Sequence, residues 1–505
     1  MLSKEVLSEL EVSELRQKTI SGISWLAISQ IGRQGLQFFI SIVLARLLTP
    51  YDFGLVGMIY VFIGFAALFR EIGFSDALIQ RTALEDRHYS SVFWLNIALG
   101  LTLTALLILL APSIAAFYHE EKLTPLTRLL ALSFLVASLS SVHAAILTRA
   151  MAFRFFAMVE LGITAVSGGT AISLALMGYG AWSLVWQELV LACMTAIALW
   201  WVTGWRPKRF LNRAAIGDLI QFSGYLFASQ VANYLERNAD NLLVGKFIGT
   251  FELGVYSRAY STMLLPLGQI RAVIGRAMFP ALSRIQDNKA QVKRIYLRCL
   301  MIIALISFPV MMGLFTVADH FVSALYGQKW EMVVDVLRIL CIVGLMQSLT
   351  ITTGWIYASQ GRTDWLFKFA ILAGLLLICG FVVGTSIGTI EAVAYSYAIG
   401  MGVILYWDFT IPGKLIGLTF VEVARSVGSA FFCAAAMASA VWVIGVFMPP
   451  TWPHWAFLTV QIPFGIVCYT LLVHLFSLEG YRELRGIITE QIVAKMSIRN
   501  FGDYK

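Results

Sequence analysis

Charge is what this 505-residue chain has least of. Asp, Glu, Lys and Arg together make 13% of it, while 59% is hydrophobic and the mean hydropathy is +0.79. A soluble domain carries roughly twice that charged share, so a water-soluble globular protein is excluded. The six cysteines (Cys193, Cys299, Cys341, Cys379, Cys433 and Cys468) lie inside apolar stretches without metal-like spacing. Neither a disulfide framework nor a metal site is expected from them. No P-loop, DxD or HExxH occurs, and no connection is long enough to fold as a domain. Direct ATP hydrolysis and a membrane glycosyltransferase or polymerase are thereby disfavoured, and no catalytic residue or cofactor is expected. No cleavable signal is evident either: residues 1–19 are charged and run straight into a full-length span, which is expected to act as the insertion signal.

What is there is hydrocarbon-length sequence, repeated. Hydropathy in windows of about 19 residues predicts about fourteen spans, among them 20–47, 53–70, 218–246, 252–275, 332–356, 390–411, 426–448 and 455–477. Thr49-Pro50, Met177 to Gly180, Ile411-Pro412-Gly413 and Met448-Pro449-Pro450 read as turns between spans. The fold expected is an all-α polytopic membrane protein. Most of the 37 Lys and Arg residues fall on one side if the N-terminus is inside, notably at 204–213 and between Arg271 and Arg298. Both termini are then cytoplasmic, and the YHEEKL loop at 118–123 lies outside. The formal charge of +8 is topological and does not mark a nucleic-acid binder. Trp205, Trp330, Trp365 and Trp452 sit where interfacial anchors belong.

The first span carries a polar stripe. Gln30, Arg33, Gln34, Gln37 and Ser41 fall within about 100° of helix arc, and such a stripe must face other helices or water. A second copy follows 200 residues later without a gap. Leu26, Ser29, Gln30, Gly54 and Tyr60 are matched by Leu226, Ser229, Gln230, Gly254 and Tyr260. The second stripe holds Gln230, Asn233, Arg237, Asp240 and Asn241. Duplication divides the chain into a cytoplasmic segment (1–19), an N-lobe with helices 1–6 (20–215) and a C-lobe with helices 7–12 (216–412). Helices 13–14 (413–478) and a cytoplasmic tail (479–505) follow. Six spans return the chain to its starting side, so the repeat is parallel, about an axis along the membrane normal.

Ser29-Gln30, Gly35 to Gln37, LARLLTPYDFGLVGM (Leu44–Met58) and REIGFSDALIQR (Arg70–Arg81) resemble Wzx-type flippases. These form the polysaccharide branch of the multidrug/oligosaccharidyl-lipid/polysaccharide exporter superfamily. The LARLLTPYDFG run is closest to the colanic and teichuronic acid exporter subgroup. The resemblance implies fourteen helices, with two six-helix lobes around a central cavity, in the bacterial inner membrane. It implies translocation of an undecaprenyl-diphosphate-linked oligosaccharide by alternating access, in lipopolysaccharide or exopolysaccharide synthesis. A polysaccharide polymerase and export machinery are the implied protein partners. The alternative within the superfamily is a MATE-like, cation-coupled drug or small-molecule antiporter, for which a carboxylate-dominated cavity is expected.

A diphosphate calls for guanidinium, which stays charged and donates in pairs. Arg33 is the foremost site residue, with no counter-charge on its own helix; the alternative is a structural ion pair. The resemblance, through arginines on first, second and eighth helices, also nominates Arg70 and Arg258. Gln30, Gln34, Gln37 and Asn233 complete the expected cavity lining. Arg237 is expected to pair with Asp240, three positions on. Asp240, Glu160, Glu188 and Asp408 are the candidates for proton or sodium coupling, since a carboxyl desolvated in a bundle can load and release a proton. Tyr225, Tyr234, Tyr256, Tyr260, Trp355 and Tyr357 are weaker candidates for sugar-stacking surfaces. Helices 13 and 14 read equally as scaffold or as a groove for the polyprenyl tail. In the groove reading, removing 420–505 leaves folding intact and abolishes flipping.

Overall fold

Long apolar runs with few breakers leave the backbone one way to satisfy itself in hydrocarbon, the α-helix. The computed structural model describes residues 30, 32–70, 86–149, 153–208, 224–478 and 480–482, and their ordered elements are helical throughout. In order they are α1 (32–47), α2 (Pro50–Arg70), α3 (Asp86–Tyr118), α4 (Leu123–Arg149), α5 (Phe153–Leu176), α6 (Ala181–Thr203) and α7 (Gly224–Phe247). Then come α8 (Thr250–Arg284), α9 (Lys289–Leu325), α10 (Val333–Thr350), the short α11 (Thr353–Ser359), α12 (Thr363–Ile387), α13 (Ile390–Ile416), α14 (Phe420–Phe447) and α15 (His454–Leu475). Eleven helical stretches among the described residues are long and apolar enough to cross a membrane, α10 and α11 counting as one. The chain is a multi-pass membrane protein. Segment 1–19, the start of the first span, the REIGFSDALIQR run beyond Arg70, the end of the basic loop at 209–213 and the tail from 483 lie outside the described residues.

Helix ends follow local chemistry. Thr49 Oγ1 donates to Asp52 Oδ2 (2.7 Å) and accepts from Asp52 N (3.4 Å), with Pro50 at the first helical position of α2. Thr419 and Glu422 close a full capping box at the start of α14. One turn expected from sequence is overturned. Pro412 lies inside α13, which continues to Ile416 and stops at Gly417 (φ 67°). Membrane helices tolerate internal proline because neighbours satisfy the freed carbonyl, and the left-handed glycine is the stronger stop.

Contacts divide the chain into two compact units, Met1–Gly254 and Val255–Lys505. In the first, α3 packs on α4, α6 on α4 and α5, and α7 on α2. Helix α7, which opens the second sequence copy, therefore packs with helices of the first. Ile40 and Leu44 of α1, with Leu48 just past its end, bury against Ala171 and Ala175 of α5. In the second unit α9 packs on α14, α10 on α9 and α13, and α12 on α13. Its core joins Tyr296, Leu300, Ala304 and Phe308 of α9 to Phe409 of α13 and to Val427, Ala430 and Ala434 of α14. Helix α14 is thus built into the core of the unit, so removing 420–505 takes core side chains with it. Leu109, Trp201, Phe432 and Phe447 point outward at 72% exposure or more, as lipid-facing side chains do.

The duplicated glycines meet. A Cβ on Gly54 would overlap the Thr250 carbonyl oxygen, and one on Gly254 would overlap the Pro50 carbonyl oxygen. Pro50 and Thr250 are themselves matched positions, each opening its helix. The backbones touch because neither residue carries a side chain there.

Candidate functional site

Arg33 lies on α1 with its guanidinium turned to α5. Nη1 lies 3.4 Å from Glu160 Oε1, and Nη2 donates to Gln30 Oε1 at 3.0 Å. Both charged side chains keep about a third of their surface, 31% and 33%. The Nε of Arg33 is buried without a hydrogen-bond partner. The sequence leaves this arginine without a counter-charge on its own helix; across the bundle it has one. It is not a free charge, because α5 brings Glu160 to it over 127 positions of sequence. Further along the stripe Gln34 is half-buried, whereas Gln37 on α1 and Asn233 on α7 are exposed. An exposed amide on a spanning helix requires water or protein, since lipid offers it no partner.

The expected pairing of Arg237 with Asp240 does not form among the described residues. Arg237 is exposed, while Asp240 is 2% exposed and its Oδ1 accepts from Asn241 N at 2.7 Å. At three residues' spacing the two can share a face, but packing of α7 takes one inward and leaves the other out. Tyr234 docks α7 on α2: its hydroxyl donates to the carbonyl of Val61 (2.8 Å) and fills the space left by Gly64. Tyr60 donates to Glu188 Oε2 of α6 at 3.4 Å. The Arg70 guanidinium lies 5.9 Å from the centre of the Phe134 ring.

In the second unit Arg258 is 8% exposed and lies 5.3 Å from the ring centres of both Tyr326 and Trp330. Trp330 has no exposed surface and is no interfacial anchor; the 3₁₀ turn Gln328–Trp330 folds it inward. Asp408, 7% exposed, accepts from Thr353 Oγ1 at 2.8 Å. Tyr256 and Tyr357 are fully buried and offer no sugar surface. The side chain of Tyr225 lies outside the described ones. Among the described residues no three His, Cys, Asp or Glu side chains converge on a metal-sized site.

One constellation has no counterpart in the sequence reading. Glu120, in the connection between α3 and α4, accepts from Tyr51 OH and from Thr250 Oγ1, both at 2.9 Å. Lys246 donates to the carbonyl of Phe117 and lies 3.1 Å from His119 Nε2. The YHEEKL loop thus clasps the elbow before α2 and the elbow before α8. The signal available was the match of Pro50 with Thr250, which brings two helix starts to one place.

Comparison with known proteins agrees with this architecture. The family profile described as "Polysaccharide biosynthesis protein" matches residues 43–335. The chain is 29% identical over 468 residues to the teichuronic acid biosynthesis protein TuaB of Bacillus subtilis, covering 91% of this chain and 96% of that one. It is 28% identical over 376 residues to the lipopolysaccharide biosynthesis protein WzxC of Escherichia coli, covering 73% and 76%. Among solved structures, the inward closed conformation of the lipid II flippase MurJ superposes with a TM-score of 0.73 at 15% identity, covering 91% of this chain and 99% of that one. An inward-facing MATE multidrug transporter superposes at 0.58 with 17% identity, covering 76% and 95%. At those identities the likeness is one of fold.

Proposed function

The chain belongs to the polysaccharide biosynthesis protein family, and from that premise we propose that it is a flippase for a polyprenyl-diphosphate-linked oligosaccharide. It carries the polysaccharide repeat unit across the bacterial inner membrane by alternating access. The observation that carries the reading is the Arg33 constellation: a part-exposed guanidinium, braced by Gln30 and balanced by Glu160. In a cavity without cargo the carboxylate keeps the arginine positioned. A diphosphate, with more charge and more acceptor oxygens, displaces Glu160 and engages the fork in two parallel bonds. Release of cargo lets Glu160 return, so binding is reversible. Gln34, Gln37 and Asn233 supply amides for sugar hydroxyls.

The finer architecture goes with this function. Fourteen helices form two six-helix repeats in parallel plus the pair α14 and α15, with both termini cytoplasmic. The reciprocal contact of Gly54 and Gly254 supports the repeat. The described parts of α7 and α8 are not among the eleven stretches long and apolar enough to cross a membrane, as expected of helices that line water. Glu160, Glu188, Asp240 and Asp408 are the groups through which a proton or sodium gradient drives the cycle, Glu160 foremost because it meets the arginine. Arg70 stands at the end of α2 as a second cation for the head group. Arg258 would reach the diphosphate only in a conformation that parts it from Tyr326 and Trp330. A polymerase and export machinery receive the flipped unit.

The test is sidedness of the lipid-linked sugar in cells lacking the chromosomal copy. Wild type returns outward-facing sugar; Arg33→Ala, compared at equal amounts of folded protein, accumulates it facing inward, and Arg33→Lys restores export in part. Full export by the alanine variant refutes the proposal. Arg33-independent extrusion of a fluorescent organic cation, with no effect on sugar sidedness, establishes the drug-antiporter reading instead.

A further inference from the structure

A cavity of about 560 Å³ lies in the second unit, far along the chain from the Arg33 constellation. Its floor is a stripe of α9, Leu297, Met301 and Leu305, spaced four apart and therefore in line. Its rim is cationic and hydroxylic: Arg425, Ser426 and Ser429 from α14, and Arg482 from the stretch after α15. Arg482 is held in place, because its Nε and Nη2 both donate to the carbonyl of Ser477, at 3.0 and 2.8 Å. Three of its five N–H groups remain for a ligand. Arg425 and Ser429 are exposed and one turn apart on the same face of α14. The acid nearest Arg425 on its helix, Glu422, is occupied: it closes the α14 cap and receives Lys293 Nζ at 2.8 Å.

Position adds to chemistry. Arg425 sits in the second turn of α14, and Arg482 lies just beyond the end of α15, so the rim is at a membrane–water boundary. This is the arginine- and lysine-rich side of the chain, where anionic lipid head groups gather. A greasy floor beneath two arginines and two serines matches an amphiphile with one phosphate at its head. The volume lies within the range of small-ligand sites and suits a glycerophosphate with the first part of its chains.

We propose that this cavity binds an anionic phospholipid of the surrounding leaflet. Its phosphodiester sits between Arg425 and Arg482, and an acyl chain lies along Leu297, Met301 and Leu305. The lipid fastens α14 and the end of α15 to α9 and is not the transported cargo.

Native mass spectrometry of the purified full-length chain, with phosphatidylglycerol and phosphatidylcholine of identical acyl chains, tests it. Wild type retains phosphatidylglycerol about tenfold more tightly. Arg425→Gln with Arg482→Gln abolishes that preference; Arg425→Lys with Arg482→Lys keeps most of it, and Lys329→Gln, which removes a cation on the opposite boundary, keeps all of it. Ser429→Trp, which fills the slot without changing charge, loses the lipid and covers the case in which the double glutamine variant fails to fold. Equal retention of the two lipids by wild type, or a preference that survives in Ser429→Trp, overturns the proposal. Displacement of phosphatidylglycerol by equimolar undecaprenyl phosphate also overturns it, by assigning the cavity to the cargo lipid.

Discussion

Arg33 and Glu160 face one another across α1 and α5 at 3.4 Å, and the Nε of the arginine has no partner of its own. The pair is therefore formed but not saturated. Arg33→Gln and Glu160→Gln each leave a lone charge in the bundle, and both should lower the amount of folded protein in the membrane. The double variant removes the imbalance and should restore accumulation to near wild type while export stays down about tenfold or more. Fluorescence-detected size exclusion reads the first quantity and sugar sidedness the second; recovery of both together assigns the pair to scaffold alone.

Gly54→Ala and Gly254→Ala each push a methyl into a carbonyl across the helix crossing. Overpacking of this kind typically costs about 1–3 kcal/mol. Thermal unfolding in detergent should show each variant melting lower. The double variant should fall short of the sum, since one displacement of the crossing relieves both clashes.

Glu120→Ala removes the acceptor for two hydroxyls and leaves Thr250 Oγ1, on a residue only 7% exposed, with the weak Met58 Sδ at 3.8 Å. Roughly 1–3 kcal/mol of stability should be lost. Glu120→Gln, whose amide oxygen still accepts, should fall between. A thiol reagent should label a Ser257→Cys reporter faster in the alanine variant, because the loop no longer holds the elbow before α8.

Truncation after Thr419 strips Val423, Val427, Ala430 and Ala434 from the core around Phe308 and Phe409. The shortened chain should not accumulate as a monodisperse species. Point changes on the outward face, such as Phe432→Ala at 72% exposure, should leave accumulation unchanged.

Arg258→Ala opens a space between Tyr326 and Trp330 and removes a desolvated cation from two ring faces, for which about 2 kcal/mol is a fair loss. Accumulation should drop, and export per folded molecule should hold. A fall in export per molecule would place the residue on the path of the head group.

Much of this was legible beforehand, and the failures have identifiable causes. Hydropathy finds spans because hydrocarbon imposes the helix, and the 200-residue match paired Gly54 with Gly254, which the fold places at a close approach of two backbones. The same reading put a stop at Pro412, where a helix packed on neighbours carries on to Gly417. It took Arg33 as uncompensated because periodicity reports one helix at a time and Glu160 arrives from another. Trp330 read as an anchor by its place in the chain, whereas a three-residue 3₁₀ turn buries it. Glu120 was invisible for the opposite reason: an acid in a short polar loop is ordinary until two helix starts are known to meet beside it.

The Gly54–Gly254 crossing also bears on origin. Gly54 faces the first residue of α8 and Gly254 faces the first residue of α2, so each side of the contact is a copy of the other. That is the signature of an isologous interface, in which one patch is its own complement. A half-length chain carrying a single LTPYDFG-like elbow would already possess everything this contact needs, and two such chains would find each other through it. Fusing them adds no new surface. It only makes the partner permanent, and frees Arg33 to diverge from Asn233, and Gln37 from Arg237, where an ancestral dimer would have had to keep each pair alike.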